Sequence, residues 1–519
     1  MGSASEKGTG YLSLSIINLF KNLFHESKAQ CHSPLHLPVS GGSQLAAGWV
    51  LVTGQVLVAK RVIAILKLPR TVSPPLSVTS IMTSTKKPHV PWSHWDKFLF
   101  IVLGIVAALA VGIVLWFRGL DINPSITVPT PTMPVPNARD YFEAAGNAKI
   151  EDKWVSGDAS KDNSPAGMAA KEKTLQRNAR AFQLLHQGFA YPYHASPVRS
   201  FYANDFPFYA KDRSLARVLG LQASVAAQKG DWNGSMQAAM DGVQMGEELP
   251  HGGSLIAMLV GAACEAIGRR QAWDAVDHLS TAEARKAARR LEHIRAYHVS
   301  FAEMMQEDKW SGQASLLETM RQPDWPGTGW NTDTGAKASL KNTVTATRIR
   351  LTGKRTIMTN FTNYMDQSIA NARQPYAAHL PAPPIPSDPL NQMMLSEGLN
   401  MARLSEAVTD TQSALLLTML ALHAYKLEHS IYPTSLSALV PQYLKAVPTD
   451  PFALSGPISY KVLGAKFLLY SVGPDGKDDG GTAVFDKMVP APLLKATYDR
   501  RYLVTAESRG DIVAGVNVN

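Results

Sequence analysis

Hydrophobic and polar positions follow three different periods along this chain. One run is apolar throughout. Residues 98–117 read FLFIVLGIVAALAVGIVLWF, twenty positions without a charge, a proline or an amide. At about 1.5 Å per residue they predict a helix of about 30 Å, the thickness of a bilayer's hydrocarbon core. Between 137 and 380 apolar residues recur at helical spacing, as at Tyr141, Phe142, Ala145 and Ala148, and at Leu175, Ala179, Phe182 and Leu185. Near the C-terminus the period changes to two: Ile458 to Leu463 and Lys466 to Val472 predict strands, with Gly464-Ala465 as a tight hairpin between them. The fold class expected is α+β. It comprises a single transmembrane helix, a mainly α-helical, helical-repeat-like middle domain, and a C-terminal domain whose first helix packs on a small antiparallel sheet.

Proline-rich stretches punctuate this pattern. VPTPTMPVP at 128–136 lies in an extended linker over 118–136, and PAPPIPSDP at 381–389 marks a second linker over 381–390. They bound a helical domain over 137–380 and a C-terminal domain over 391–519. Asn137 is positioned as an N-cap, and Ser280-Thr281-Ala282-Glu283 is a capping box. Helices are expected over 254–277 and 281–306. Across 213–248, two Ala-rich helices flank Lys229-Gly230-Asp231-Trp232, with small residues at Ala223, Ala226, Ser235, Ala239 and Gly242. This resembles a tetratricopeptide-type helical hairpin, where small residues let paired helices approach closely. An irregular helical bundle satisfies the same pattern.

The flanks of the apolar run give it a direction. Trp92, Trp95 and Trp116 suit the two membrane interfaces. Lys86, Lys87 and Lys97 precede the run, whereas Arg118 alone follows closely. The positive-inside rule then places residues 82–97 in the cytoplasm and the C-terminal mass in the periplasm or another extracytoplasmic space, with the anchor in the cytoplasmic membrane. Gly104, Ala108 and Gly112 form a small-xxx-small seam suited to a homodimer. Residues 1–81 show no sustained period and read as a poorly ordered extension, with Met82 as an alternative native start. The formal charge of +9 is modest and dispersed, so no nucleic-acid partner is expected. The two cysteines, Cys31 and Cys264, fall on opposite sides of the anchor and exclude a disulfide framework.

Motifs for chemistry are sparse. The chain lacks His-Glu-x-x-His, Gly-x-Ser-x-Gly, a phosphate-binding loop and a dinucleotide fingerprint. His293 and His298 are five apart and fall on different faces of the expected helix 281–306. The same holds for His423 and Glu428. Glu303, Glu307 and Asp308 share a face with His298 or Lys309, a pattern typical of a solvated surface. No catalytic residues and no enzyme activity are therefore expected. A hydrolase whose groups converge only in space, within the helical domain, stays as an alternative.

The last quarter of the chain carries an ordered set of motifs. An amphipathic helix with Leu415, Met419, Leu422 and Leu427 runs through Tyr425-Lys426-Leu427 to Tyr432-Pro433. Then come Leu439-Val440-Pro441-Gln442-Tyr443-Leu444, the step Pro448-Thr449-Asp450-Pro451, and a strand end Leu469-Tyr470-Ser471-Val472-Gly473-Pro474-Asp475-Gly476. In this order they resemble the globular domain of the major pseudopilins of type II secretion systems. The resemblance implies a calcium site, with Asp475 and the Val472 carbonyl as ligands, Asp478 or Asp479 beside them, and Asp511 of Gly510-Asp511-Ile512 as a later ligand. Clustered hard oxygens suit Ca²⁺. The chain departs from that family in four ways: no peptidase site precedes Phe98, the anchor carries no glutamate, the middle domain separates anchor from module, and a long segment lies between Gly481 and Gly510 where the family has a compact loop. The expected function is a membrane-anchored extracytoplasmic scaffold or binding protein with protein partners. An accessory component of a secretion or pilus-like system is the alternative.

Overall fold

The computed structural model describes residues 93–156, 158–200, 207–326, 336–395, 398–486 and 500–517. The expectations for residues 1–81, Cys31 among them, and for Lys86, Lys87 and Trp92 lie outside them. The described chain falls into two units, the apolar helix as far as Gly112 and a larger unit from Ile113 onward.

Helix α1, His94–Leu120, contains the apolar run and buries none of its residues. It is long and apolar enough to cross a membrane. A core helix of a soluble protein would instead be covered by its neighbours. Leu99, Ile101, Leu109 and Leu115 are each more than half exposed. The Ser93 and Asp96 side chains begin the helix by exchanging hydrogen bonds with each other's backbone N–H. The cross-helix seam is open as well: a methyl group added at Gly104 or Gly112 would meet nothing.

The larger unit is built mostly of helices: α2 Ala138–Ala148, α3 Pro165–Arg177, α4 Ala179–Gly188, α5 Pro207–Gln228, α6 Trp232–Glu248, α7 Leu255–Ala275, α8 Thr281–Arg295, α9 Phe301–Met320, α10 Ala336–Thr352, α11 Lys354–Ala372, α12 Pro389–Met394 and α13 Gly398–His429. The expected caps form. Asn137 accepts from the Arg139 amide at 3.0 Å and also holds the 191–195 segment through His194. Asp231 caps α6 by accepting from the Gly234 amide at 2.8 Å.

Small residues set the packing of α6 on α7. A Cβ at Gly268 would lie 2.5 Å from the Ala239 carbonyl oxygen, and one at Gly246 would lie 2.5 Å from that of Gly261. Glycine is therefore required at this crossing because the two backbones touch. Cys264 is fully buried and free in the same interface.

A small sheet completes the unit. Strands β1 Ser459–Leu463 and β2 Lys466–Ser471 pair antiparallel across the two-residue turn, where Gly464 has φ +63°. β3, Ile512–Val513, adds antiparallel to the other edge of β2, giving the order β1-β2-β3. The fold is thus mainly helical with a three-stranded antiparallel sheet.

Two expectations need correction. Helix 281–306 is in fact two helices. It stops at Arg295, and a second capping box starts α9: Ser300 accepts from the Glu303 amide while Glu303 accepts from the Ser300 amide at 2.8 Å. The second correction concerns the boundary at 381–390, which does not separate two cores. One core joins Met240, Ala275, Ala288 and Leu291 of the middle helices to Leu416, Leu420 and Leu422 of α13 and to Leu469 and Ile512 of the sheet. Helix α13 accordingly buries more than the stripe expected of it. Leu415, Leu416, Leu417, Leu420 and Leu422 are all buried, whereas Leu427 is about half exposed. A helix packed on opposite sides needs apolar residues on both.

The linker 118–136 likewise lies against the body. Ile126 packs on a second core centred on Met305, Phe361 and Met365. Beyond the end of α1, Asp121 pairs with Lys354 at 2.9 Å.

Candidate functional site

Two places hold converging polar groups. The first is the loop that the sequence marks for calcium. Asp511 is buried and accepts from the backbone amides of Gly481 at 2.5 Å and Asp479 at 3.3 Å. Asp478 accepts from the Tyr470 hydroxyl at 2.8 Å and the Gly480 amide at 2.9 Å. Asp475 accepts from the Lys477 amide at 3.2 Å. The Val472 amide donates to Asp450, whose carboxylate also accepts from the Ser471 hydroxyl and the Phe452 amide. Asp450, the acidic residue of the Pro-Thr-Asp-Pro step, thus ties that step to the end of β2. Burial raises the Asp511 carboxyl above its usual range, and the negative charges of Asp478 and Asp479 push the same way. Asp475, Asp478, Asp479 and Asp511 do not bring three ligand oxygens within 4.8 Å of one another.

Of the second place, the sequence points only to His298, with other partners. His298 lies in the five-residue connection between α8 and α9, Arg295 ends α8, Glu247 lies near the end of α6, and Glu406 and Asp410 stand one turn apart on α13. The His298 ring is held on both sides. Its Nδ1 lies 2.7 Å from Glu247 Oε1, and its Nε2 faces Glu406 Oε1 at 3.8 Å and Asp410 Oδ1 at 3.6 Å. Arg295 braces the same carboxylates, donating to Glu247 Oε2 at 2.9 Å and to Asp410 Oδ1 at 2.6 Å. The Phe301 amide, at the start of α9, donates to Glu406 Oε1.

Burial is graded across this cluster. The Glu247 side chain is 3% exposed, while His298 is 28%, Glu406 17% and Asp410 22% exposed. The Glu247 side of the ring is therefore sealed, and the Glu406 and Asp410 side is partly exposed. Burial works against ionisation of Glu247, but Arg295 and His298 overcome it and hold the carboxyl down to about 2. Burial also opposes the imidazolium of His298. Its contacts with Glu247 and Glu406 and the charge of Asp410 prevail and push it up to about 10. Behind the cluster, Glu265 and Arg269 pair at 2.6 Å within α7, both nearly fully buried. Burial and the neighbouring Glu247 raise the Glu265 carboxyl to about 8.

Among the described residues, His298, Glu406 and Asp410 form a trio whose ligand atoms all lie within 4.8 Å of one another. A groove of about 460 Å³ opens nearby, lined by Phe301, Met305, Tyr364, Ser368, Ile385 and Arg403 among others. Phe301 is common to the two features. The Ser368 hydroxyl is buried in the same region without a hydrogen-bond partner.

No family model, curated protein or solved structure matches this chain. Function is therefore argued from these two places and from α1.

The other residues weighed from sequence have structural partners. Glu303 caps α9, Glu307 pairs with Arg199, Asp308 accepts from the Leu255 amide at the start of α7, and Lys309 pairs with Asp366 at 2.5 Å. His423 contacts the Leu279 carbonyl, and Glu428 takes up Arg285 and the Tyr443 hydroxyl. The sequence signal that bears on the cluster is the motif Ser300-Phe301-Ala302-Glu303, a second capping box that breaks the helix and frees His298 from it, though it says nothing of the carboxylates that meet the ring.

Proposed function

We propose that this chain is a permanently membrane-anchored, extracytoplasmic scaffold or binding protein, held by α1 and presenting a helical body with a pseudopilin-like cap. The observation that carries this reading is the shared core around α13. The helix that in a pilin-type subunit would continue into the membrane is here packed between the middle helices and the sheet. A module built in this way is not a subunit that leaves the bilayer to join a filament. The exposed apolar surface of α1 supports the anchor, because so large an unbroken patch is not stable in water.

The orientation rests on the lysines before the apolar run, which favour a cytoplasmic N-terminal flank and a periplasmic body. Protease added to the outer face of spheroplasts should digest the body and leave a membrane-bound fragment containing α1. Protection of the body until the membrane is permeabilised, or release of a chain cleaved ahead of Phe98, would refute the reading. Co-purification with secretion-machine components would select the accessory role instead. Dimerisation through Gly104, Ala108 and Gly112 predicts crosslinked dimers in native membranes that Gly104→Ile reduces.

Calcium in the 472–481 loop belongs to the same proposal. Its support is that the charges of Asp478 and Asp479 add to burial in raising the Asp511 carboxyl, a penalty that a divalent cation would relieve. Calcium should raise the melting temperature of the full chain and EDTA lower it. Equal melting in both removes the claim.

A second reading, a hydrolase in the helical part, is favoured by the groove beside the His298 cluster. Hydrolysis of ester or peptide substrates by the native chain, abolished by Glu406→Gln, would select it.

A further inference from the structure

We infer that His298, Glu406 and Asp410 form a binding site for a first-row divalent cation, zinc foremost, separate from the calcium loop. Several features of the cluster fit such a site better than a plain ion-pair network.

The first is the way the imidazole is held. Its Nδ1 is engaged by Glu247, a carboxylate that is itself buried and braced by Arg295. A carboxylate behind a histidine fixes the ring and its tautomer and directs the other nitrogen at the metal. Here Nε2 faces two carboxylates on one face of α13.

Spacing is the second feature. Nε2 lies 3.6 and 3.8 Å from the two acidic oxygens, too far for good hydrogen bonds and too close for indifferent neighbours. A cation about 2.1 Å from each atom would see them roughly 120–130° apart, within reach of a tetrahedral or trigonal site after small side-chain rotations.

The third feature is preorganisation. Asp410 is fixed by Arg295 and Glu406 by the Phe301 amide, so neither carboxylate has to be ordered when the ion binds. Hydrogen-bonded ligating carboxylates of this kind are usual around metals.

Charge gives the fourth. Three carboxylates, those of Glu247, Glu406 and Asp410, converge on one imidazole, an arrangement that favours a cation among them.

The ligand set of one imidazole and two carboxylates suits zinc or manganese, and three protein ligands leave room for water or a further ligand.

The test uses the full-length protein in detergent, stripped with EDTA and then dialysed against zinc. Metal analysis should find zinc retained at one equivalent per chain in excess of any calcium. That equivalent should persist in Asp511→Asn, whose substitution lies in the other loop. Asp410→Asn should weaken zinc binding by about 10-fold or more, and Glu247→Gln, which touches no ligand position but orients the imidazole, by about 10–100-fold. Cobalt in place of zinc should give visible d–d bands that change in intensity in Glu406→Gln, reporting the altered ligand set even if affinity survives. Far-UV circular dichroism separates ligand loss from unfolding. A folded native chain that retains no zinc at micromolar concentrations would overturn the inference. So would retention unchanged in the His298→Ala/Glu406→Gln double variant. In either case the cluster would be an ion-pair network alone.

Discussion

Replacing Arg295 with methionine tests the electrostatics of the His298 cluster most directly. The guanidinium donates at 2.9 Å to Glu247 and at 2.6 Å to Asp410, and the Glu247 side chain is 3% exposed. Methionine keeps most of the volume and removes the charge, so two carboxylates lose a partner in a largely desolvated place. Breaking a buried pair on one side costs about 3–5 kcal/mol, against about 0–1 for a surface pair. His298 still reaches Glu247 at 2.7 Å, which places the expected loss near the lower end, about 3 kcal/mol. For a unit of this size that corresponds to a fall in melting temperature on the order of 4 °C. The assay is thermal unfolding of the detergent-solubilised chain in EDTA, so that bound metal does not contribute. Arg295→Lys should recover part of the loss, because an ammonium cannot span two carboxylates as the planar fork does. The double variant Arg295→Met/Asp410→Asn should lie closer to native than additivity predicts, since it removes one stranded charge. A fall below about 1 °C for Arg295→Met, or strict additivity in the cycle, would refute the claim that these charges depend on one another.

Other outcomes follow from the same structure. Burial pushes the carboxyls of Asp212, Glu248 and Asp308 up to about 7. The unfolded chain releases those protons near pH 4, so unfolding releases protons between about pH 4 and 7 and stability falls as pH rises through that window. His298, held up to about 10, adds stability that is complete below about pH 6.5 and is lost as pH rises through its folded value. A melting temperature that stays level or climbs from pH 5 to pH 8 would contradict this. Gly268→Ala gains about 1 kcal/mol of helix propensity but drives a methyl group into the backbone of α6, at a cost of about 1–3 kcal/mol. Net destabilisation is expected in chemical denaturation, whereas Gly119→Ala, which meets nothing, should not destabilise. Asn517 donates to the Val484 and Tyr502 carbonyls and accepts from the Val513 amide. Asn517→Ala should therefore cost about 2–4 kcal/mol and expose the C-terminal strand to limited proteolysis. Native-like resistance would show that the tail is held by other means.

What sequence alone determined about this protein is what contiguous residues encode. The apolar run, the caps at Asn137 and Ser280, the Gly464 hairpin and the strands beside it each depend on a handful of neighbouring positions, and each is where the pattern places it. Their causes are local: backbone amides need partners, a two-residue turn needs a positive φ, and a helix in lipid tolerates no charge. Tertiary structure decided the rest. The proline-rich stretch at 381–389 looks like a boundary because proline disfavours regular structure, yet burial of Leu416 and Leu420 against the middle helices joins the two sides into one core. The His298 cluster draws on α6, α8, the loop after it and α13. No spacing rule relates Glu247 to Asp410, because their proximity arises from helix packing and not from chain period. Even the part of the cluster that was locally encoded, the capping box at Ser300, acquires its meaning only there. It ends one helix, begins another, and turns a histidine out of a regular face and into a ring of carboxylates.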